Sequence, residues 1–173
     1  GMPFPGAKAS SFDGGHHCPL IIRRPGDTAA RRSDALVNWL DLAPTVNAFL
    51  GLPDLPEAAG RDLDPILNGG HAEHFSRVFF SHSFHEVTNY YPYRVCRDRR
   101  YKYVRNLASD LATPVPSDLA RSPTWQAVKA EGLAMMGDRT TDHFLHQPPQ
   151  ALYDLAQDPA EAENRLDDPA LAD

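Results

Sequence analysis

Apolar and polar positions along the chain alternate in two different rhythms, and each rhythm predicts a kind of element. In "DLAPTVNAFLGLP", Leu42, Val46, Phe49 and Leu50 fall at i, i+4, i+7 and i+8, which draws one apolar stripe on a helix. Asp41 precedes it as an N-cap, Pro44 sits in the first turn where a missing N–H does little harm, and Gly51 supplies a left-handed stop. A second helix is predicted to open at Ser122-Pro123 and to close at Gly137. The period-2 rhythm marks strands at Val78–His82, Tyr93–Arg97, Tyr101–Arg105 and Ala151–Leu155, the middle two forming a hairpin around Asp98-Arg99. Pro19-Leu20-Ile21-Ile22 is a short continuous apolar run and reads as a buried strand ending in the turn Arg23–Gly26.

The stretches between these elements are Gly- and Pro-rich. Residues 1–18 read as loop, and Leu52–His74 carries Pro53, Pro56, Gly60, Pro65, Gly69 and Gly70, so it reads as one long loop. The order of elements gives an α/β class with α+β character: a lone strand and helix, then a small antiparallel sheet with packed helices. A soft boundary near residue 70 divides the expected domains 1–70 and 71–173.

With 173 residues and a formal net charge of −6, a general affinity for nucleic acid or an anionic membrane is not expected. The chain shows no apolar run long enough to span a bilayer and no signal-peptide pattern, so a soluble protein of unknown compartment is expected. Gly1 before Met2 reads as a cleavage scar. The two cysteines, Cys18 and Cys96, are expected as free thiols.

Candidate chemistry then narrows to three places. His16-His17-Cys18 offers soft ligands, but neighbours on an extended chain point to opposite faces, and loop histidines are the plainer reading. The pool His16, His17, His71, His74 and His82 would be needed for a metallohydrolase. Arg94, Arg97, Arg99, Arg100, Lys102 and Arg105 form a basic cluster, which strand alternation should split between the two sheet faces as a largely solvated patch. The third place, His85-Glu86-Val87-Thr88-Asn89-Tyr90-Tyr91-Pro92-Tyr93-Arg94, holds more hydrogen-bonding capacity than a turn requires. It reads either as a surface turn with tyrosines on the sheet edge or as a surface for a polyhydroxylated, anionic ligand. Neither a nucleotide-binding glycine loop nor a Gly-x-Ser-x-Gly elbow is present.

Five stretches in order, "GAK…SSFDGGHHCPLIIRRPG", "DLAPTVNAFLGLP", "GRDLDPILNG", "YRVCRDRRYKYVRN" and "ALYDLAQDPAEAENRLDDP", resemble the C-terminal portion of sulfatases. "SFHEVTNYYPYR", "RNL" and "SPTWQ" bring the sulfamidase branch of that family to mind, whose members cleave N-linked sulfate from glucosamine in glycosaminoglycans. The resemblance implies the C-terminal part of an alkaline-phosphatase-like sulfatase fold. It implies Lys8 as the basic residue that contacts the sulfate, with an electrostatic role in catalysis. It implies His85, Glu86 and Arg94 as substrate-binding residues, with Arg94 either a substrate contact or a scaffold ion-pair partner. Calcium and a formylglycine nucleophile are expected only in a full-length family member, because this chain lacks the Cys/Ser-x-Pro-x-Arg motif and the early Asp pairs. The chain alone is therefore expected to be inactive, to meet a sulfated glucosamine-type sugar, and to form homo-oligomers through exposed strand edges. The alternative is a stand-alone sulfated-sugar-binding or oligomerisation module.

Overall fold

In the computed structural model, which describes residues 4–28, 30–70 and 73–171, the chain divides into two compact units. One is Ile21–Val78; the other joins Gly1–Leu20 to Phe79–Asp173. The first segment of the chain thus packs with the sheet, not with the helix and long loop that follow it in sequence. In chain order the elements are α1 (Asp13–His16), α2 (Leu42–Phe49), α3 (Asp64–Leu67), β1 (Arg77–His85), β2 (Asn89–Asp98), β3 (Tyr101–Asn106), α4 (Ser117–Ala120), α5 (Pro123–Glu131), β4 (Met135–Met136), β5 (Arg139–Thr140), α6 (Thr141–Leu145) and β6 (Gln150–Asp154). Helices mixed with a small antiparallel sheet are the architecture expected from the sequence.

Within Ile21–Val78, α2 forms where the pattern placed it, and Gly51 ends it at φ +63°. Its start is different. A 3-10 turn, Trp39–Asp41, precedes it, and Asn38 is the cap, forming a reciprocal box with Asp41. Asp41 accepts from the backbone N–H of Asn38 at 2.7 Å and of Arg61 at 2.8 Å, so its carboxylate ties the helix start to the loop. The apolar stripe is not what the helix buries. Val46, Phe49 and Leu50 are exposed, and the buried residue is Thr45, whose hydroxyl donates to Asp41 O and accepts from Leu63 N. Among the described residues the strand expected over Pro19–Ile22 does not form, and Ile21 is 92% exposed. A four-residue apolar run has no reason to stay extended and buried without a neighbouring strand to pair with. The long loop is less irregular than expected, since Asp64-Pro65 starts α3 and Arg24 anchors it through Asp64 at 2.8 Å.

The other unit is built on the sheet β1-β2-β3-β6. Its register pairs Val95 with Val104 and Val104 with Ala151, so alternate residues of three strands line one face. That face makes the first core, from Tyr91, Tyr93, Val95, Val104, Ala151 and Tyr153. A second core, Phe12, Leu119, Trp125, Val128 and Phe144, joins the N-terminal segment to α4, α5 and α6. Ser122 caps α5 by accepting from Trp125 N at 3.2 Å, as the sequence indicates. Gly132, not Gly137, closes it, at φ +61°. Gly137, at φ +68°, instead turns the two-residue β4–β5 hairpin, which interrupts the chain before a helix could reach it.

The basic cluster divides as strand alternation predicts: Arg94, Arg99, Arg100 and Arg105 are exposed, while Arg97 and Lys102 turn inward. Arg97 and Lys102 face each other in register, both on the core side. Arg97 forks onto Asp13, its Nη2 meeting Oδ2 at 2.8 Å and its Nε meeting Oδ1 at 3.1 Å. Lys102, 0% exposed, donates to Asp13 at 3.3 Å and to the Glu161 carboxylate, which also accepts from Asp13 N at 2.6 Å. Arg100 forks likewise onto Asp154. Burial pushes the Asp13 carboxyl up, yet Arg97 and Lys102 outweigh it and hold it below the usual carboxylate range. For Glu161 burial prevails over Lys102, and its carboxyl is pushed upward.

This network should resist single truncation badly, because removing one partner strands the other charges without solvent. Lys102→Met is expected to lower stability by about 3–5 kcal/mol, read as a shift in the urea midpoint. Lys102→Met combined with Glu161→Leu should recover part of that loss.

Candidate functional site

The turn Glu86-Val87-Thr88 joins β1 to β2 and sets the side chains of the polar aromatic stretch. Glu86 adopts φ +58°, a left-handed conformation uncommon for a residue with a Cβ, and its side chain is bonded across to another element. Glu86 Oε1 accepts from the hydroxyl of Ser117 at 2.8 Å and from its backbone N–H at 3.3 Å. α4 starts after Pro116 with no side-chain cap of its own, so Glu86 satisfies an N–H that would otherwise lack a partner. Around Glu86, the side chains of Phe84, His85, Val87 and Tyr90 line an open depression of about 610 Å³. Phe84, Val87 and Tyr90 are exposed, and Val87 is 99% exposed. The depression therefore sets apolar walls beside an imidazole and a carboxylate.

Lys8 reaches the same short helix from the N-terminal segment. Its Nζ donates to Asp118 Oδ2 at 2.5 Å, with the two side chains 32% and 37% exposed. The Lys8 ammonium bonded to it holds the Asp118 carboxyl below the usual range. Lys8 and Glu86 are 78 residues apart by their numbers, and the fold brings them to consecutive residues, Asp118 and Ser117. Arg94 lies apart from them. It is exposed, stands opposite Arg105 in the β2–β3 register, and donates through Nη1 to the backbone carbonyls of Tyr93 at 3.0 Å and His82 at 3.3 Å.

The sequence nominates Lys8, His85 and Glu86 through resemblance, but not Ser117 and Asp118, to which Glu86 and Lys8 are bonded. Their signal was present: Pro116-Ser117-Asp118 has the composition of a helix start. It was hidden among the closely spaced prolines Pro114 and Pro116, which read as loop.

Among the described residues the histidine pool does not assemble into a metal site. His71 lies outside the described residues. His16 is wedged against Phe80, with ring centroids 4.2 Å apart, and its Nε2 meets Tyr93 Oη at 3.0 Å. Because Tyr93 gives its hydroxyl proton to Ser10 O at 3.0 Å, His16 Nε2 has to be the donor. His82 stacks on the other side of Tyr93, at 5.0 Å and 11°, with Nδ1 against Tyr91 O. Among the described residues no group of three or more His, Cys, Asp or Glu is arranged to hold a metal ion, so the calcium of the sulfatase resemblance does not fit the side chains in place.

No family model matches the chain. Individual relatives do. Human N-sulphoglucosamine sulphohydrolase is 30% identical over 187 residues, taking in 99% of this chain and 37% of that protein. An ulvan-active sulfatase of Formosa agariphila is 29% identical over 98% of the chain, and human arylsulfatase A 29% over 92%, each across 28% of its own length. The chain is similar to these sulfatases over most of its own length and spans about a third of the length of the curated relatives it matches. Among solved structures, a 2-O GAG sulfatase overlaps 75% of this chain and 20% of its own at TM-score 0.46 and 23% identity. Another, solved in complex with its substrate D-glucosamine-2-N,6-O-disulfate, overlaps 76% of this chain and 20% of its own at TM-score 0.47 and 15% identity. No helix among the described residues is long and apolar enough to cross a membrane.

Burial, and then the charge of Lys102, lower the His16 pKa from 6.5 to about 4, so the folded protein holds this imidazole neutral. The unfolded chain binds the proton first as pH falls, and stability contributed by His16 is therefore present above 6.5 and lost on the way down to 4. The pH-dependent difference between the native protein and His16→Gln, measured by thermal unfolding, should amount to roughly 3 kcal/mol across that window.

Proposed function

We propose that this chain is the C-terminal, substrate-selecting portion of a sulfatase-family hydrolase that acts on sulfated glucosamine residues. The observation that carries the reading is the alignment of 99% of the chain with a relative named as an N-sulphoglucosamine sulphohydrolase. The turn geometry is consistent with it. In this reading the Glu86 carboxylate accepts from sugar hydroxyls, the His85 imidazole donates an N–H to a sugar oxygen, Phe84 and Tyr90 flank the ring, and Lys8 neutralises charge on the sulfate oxygens. Arg94, bonded to backbone carbonyls, serves the scaffold. The nucleophile and the calcium site belong to residues that this sequence does not contain, so the chain grips the sugar without cleaving it.

Titration with glucosamine-2-N-sulfate, followed calorimetrically in the absence of added metal, should show saturable binding. Glu86→Gln should weaken it by roughly tenfold, the usual loss for a charged hydrogen bond of about 1.4 kcal/mol. Absence of binding overturns the rim reading, and release of sulfate by the purified chain overturns the assignment of catalysis to other residues.

A second reading, an oligomerisation module, is favoured by one specific observation. Ile21, Trp39, Leu40, Val46 and Leu50 are all exposed within the unit Ile21–Val78, and Trp39 is 75% exposed. Apolar side chains gathered on one small unit are what a partner surface presents. Light scattering then gives a mass above one chain, and replacing Trp39 and Leu50 by Ser returns it to the monomer. A monomeric mass for the native chain removes this reading.

A further inference from the structure

Two of the residues nominated for sugar and sulfate contact are bonded to adjacent positions of α4. Glu86 holds Ser117, and Lys8 is paired to Asp118. The Lys8–Asp118 pair differs from the buried Lys102–Glu161 pair in what can reach it. Lys102 and Glu161 are buried, so their bond has no solvent or ligand to compete with it. Lys8 and Asp118 are each about a third exposed, so an anion arriving from solvent can reach the ammonium. Asp118 is also held in place by a second bond, its Oδ1 accepting from Leu119 N at 2.8 Å. A carboxylate with two such bonds, one short and charge-assisted, occupies a site on Lys8 that a sulfate oxygen would take.

Resting on the reading of Lys8 as a sulfate contact, we infer that Asp118 is a positioning and specificity-determining residue: its carboxylate stands in for the sulfate on Lys8 in the free protein and is displaced by it on binding. Asp118 then sets a threshold. A neutral sugar or a weakly charged one gains nothing at Lys8, because the ammonium is already satisfied. A sulfated one exchanges one anion for another and keeps the lysine neutralised. Glu86, through Ser117, fixes the helix from which Asp118 projects, so the hydroxyl-reading and sulfate-reading halves of the rim share one support. Displaced, Asp118 turns its carboxylate to water, which its present exposure allows.

The test uses Asp118→Asn, in which the side-chain oxygen still accepts from Leu119 N while the charge is gone, and Asp118→Ser as a second uncharged acceptor. Affinity of the full chain for inorganic sulfate and for glucosamine-2-N-sulfate is measured by calorimetry, with circular dichroism to confirm the fold. Both variants are expected to bind both probes roughly two- to fivefold more tightly than the native chain, the worth of a half-exposed ion pair. The gain should vanish when Lys8→Met is added. A merely structural role for Asp118 predicts weaker binding, not tighter. If the native chain binds glucosamine-2-N-sulfate and the variants bind it equally or less well, the inference fails while the sugar-rim reading stands. If neither the native chain nor the variants bind either probe, both fall.

Discussion

The buried contact between Lys102 and the carboxylates of Glu161 and Asp13 is the constraint on which the sheet-bearing unit is organised. An ammonium removed from water is tolerable only when surrounded by acceptors. Here they come from an N-terminal helical turn and a C-terminal bend, 148 residues apart in sequence. Arg97 adds a fork from the neighbouring strand, and Asp13 N closes the circuit by donating to Glu161. The result pins both ends of this unit's chain to one end of the β2–β3 hairpin. Once Asp13 is pinned, Phe12 falls into the second core and Ser11 donates to Gln147 at 2.8 Å. Lys8, a few residues earlier, is thereby delivered to Asp118. The surface pair follows from the buried one.

What could be read from the sequence was whatever short-range physics decides. The Ser122 cap, the Gly51 stop and the period-2 strands depend on residues within a few positions of one another, and they form where the pattern put them. Two misreadings are local, the cap at Asn38 in place of Asp41 and the stop at Gly132 in place of Gly137; the others involve partners distant in sequence. Pro19–Ile22 is apolar enough for a strand, but a strand is defined by a neighbour. The α2 stripe marks the helix but not what fixes it, since Thr45 makes the buried bonds, to Asp41 and Leu63. The basic cluster is largely solvated as read, but the inward pairings of Arg97 and Lys102 were hidden because Asp13 and Glu161 lie 84 and 59 residues from them. For the site, the residue types of Lys8, His85 and Glu86 were legible through resemblance to sulfatases. The pairing of Lys8 and Glu86 to one helix was not, since nothing local links them.

Two of the non-glycine residues with positive φ are glutamates in opposite surroundings, and the comparison separates structure from function. Glu86 and Glu161 lie at φ +58° and φ +55°. In each, a backbone conformation that costs roughly 1 kcal/mol or more is offset by carboxylate bonds that glycine could not make. Glu161 is buried and its partners, Lys102 and Asp13 N, are fixed, so its strain is locked into the fold. Glu86 stands at an open turn, and its partners on Ser117 are solvent-accessible. The same device therefore has two uses. Where water is excluded the bonds cannot be exchanged and the residue is scaffold. Where water and solutes enter, the carboxylate can trade a Ser117 bond for a ligand hydroxyl at little net change in free energy, because one hydrogen bond replaces another. A strained residue with exchangeable partners, one position away on α4 from an ion pair that is equally open to solvent, suits the sugar-reading rim proposed for this turn.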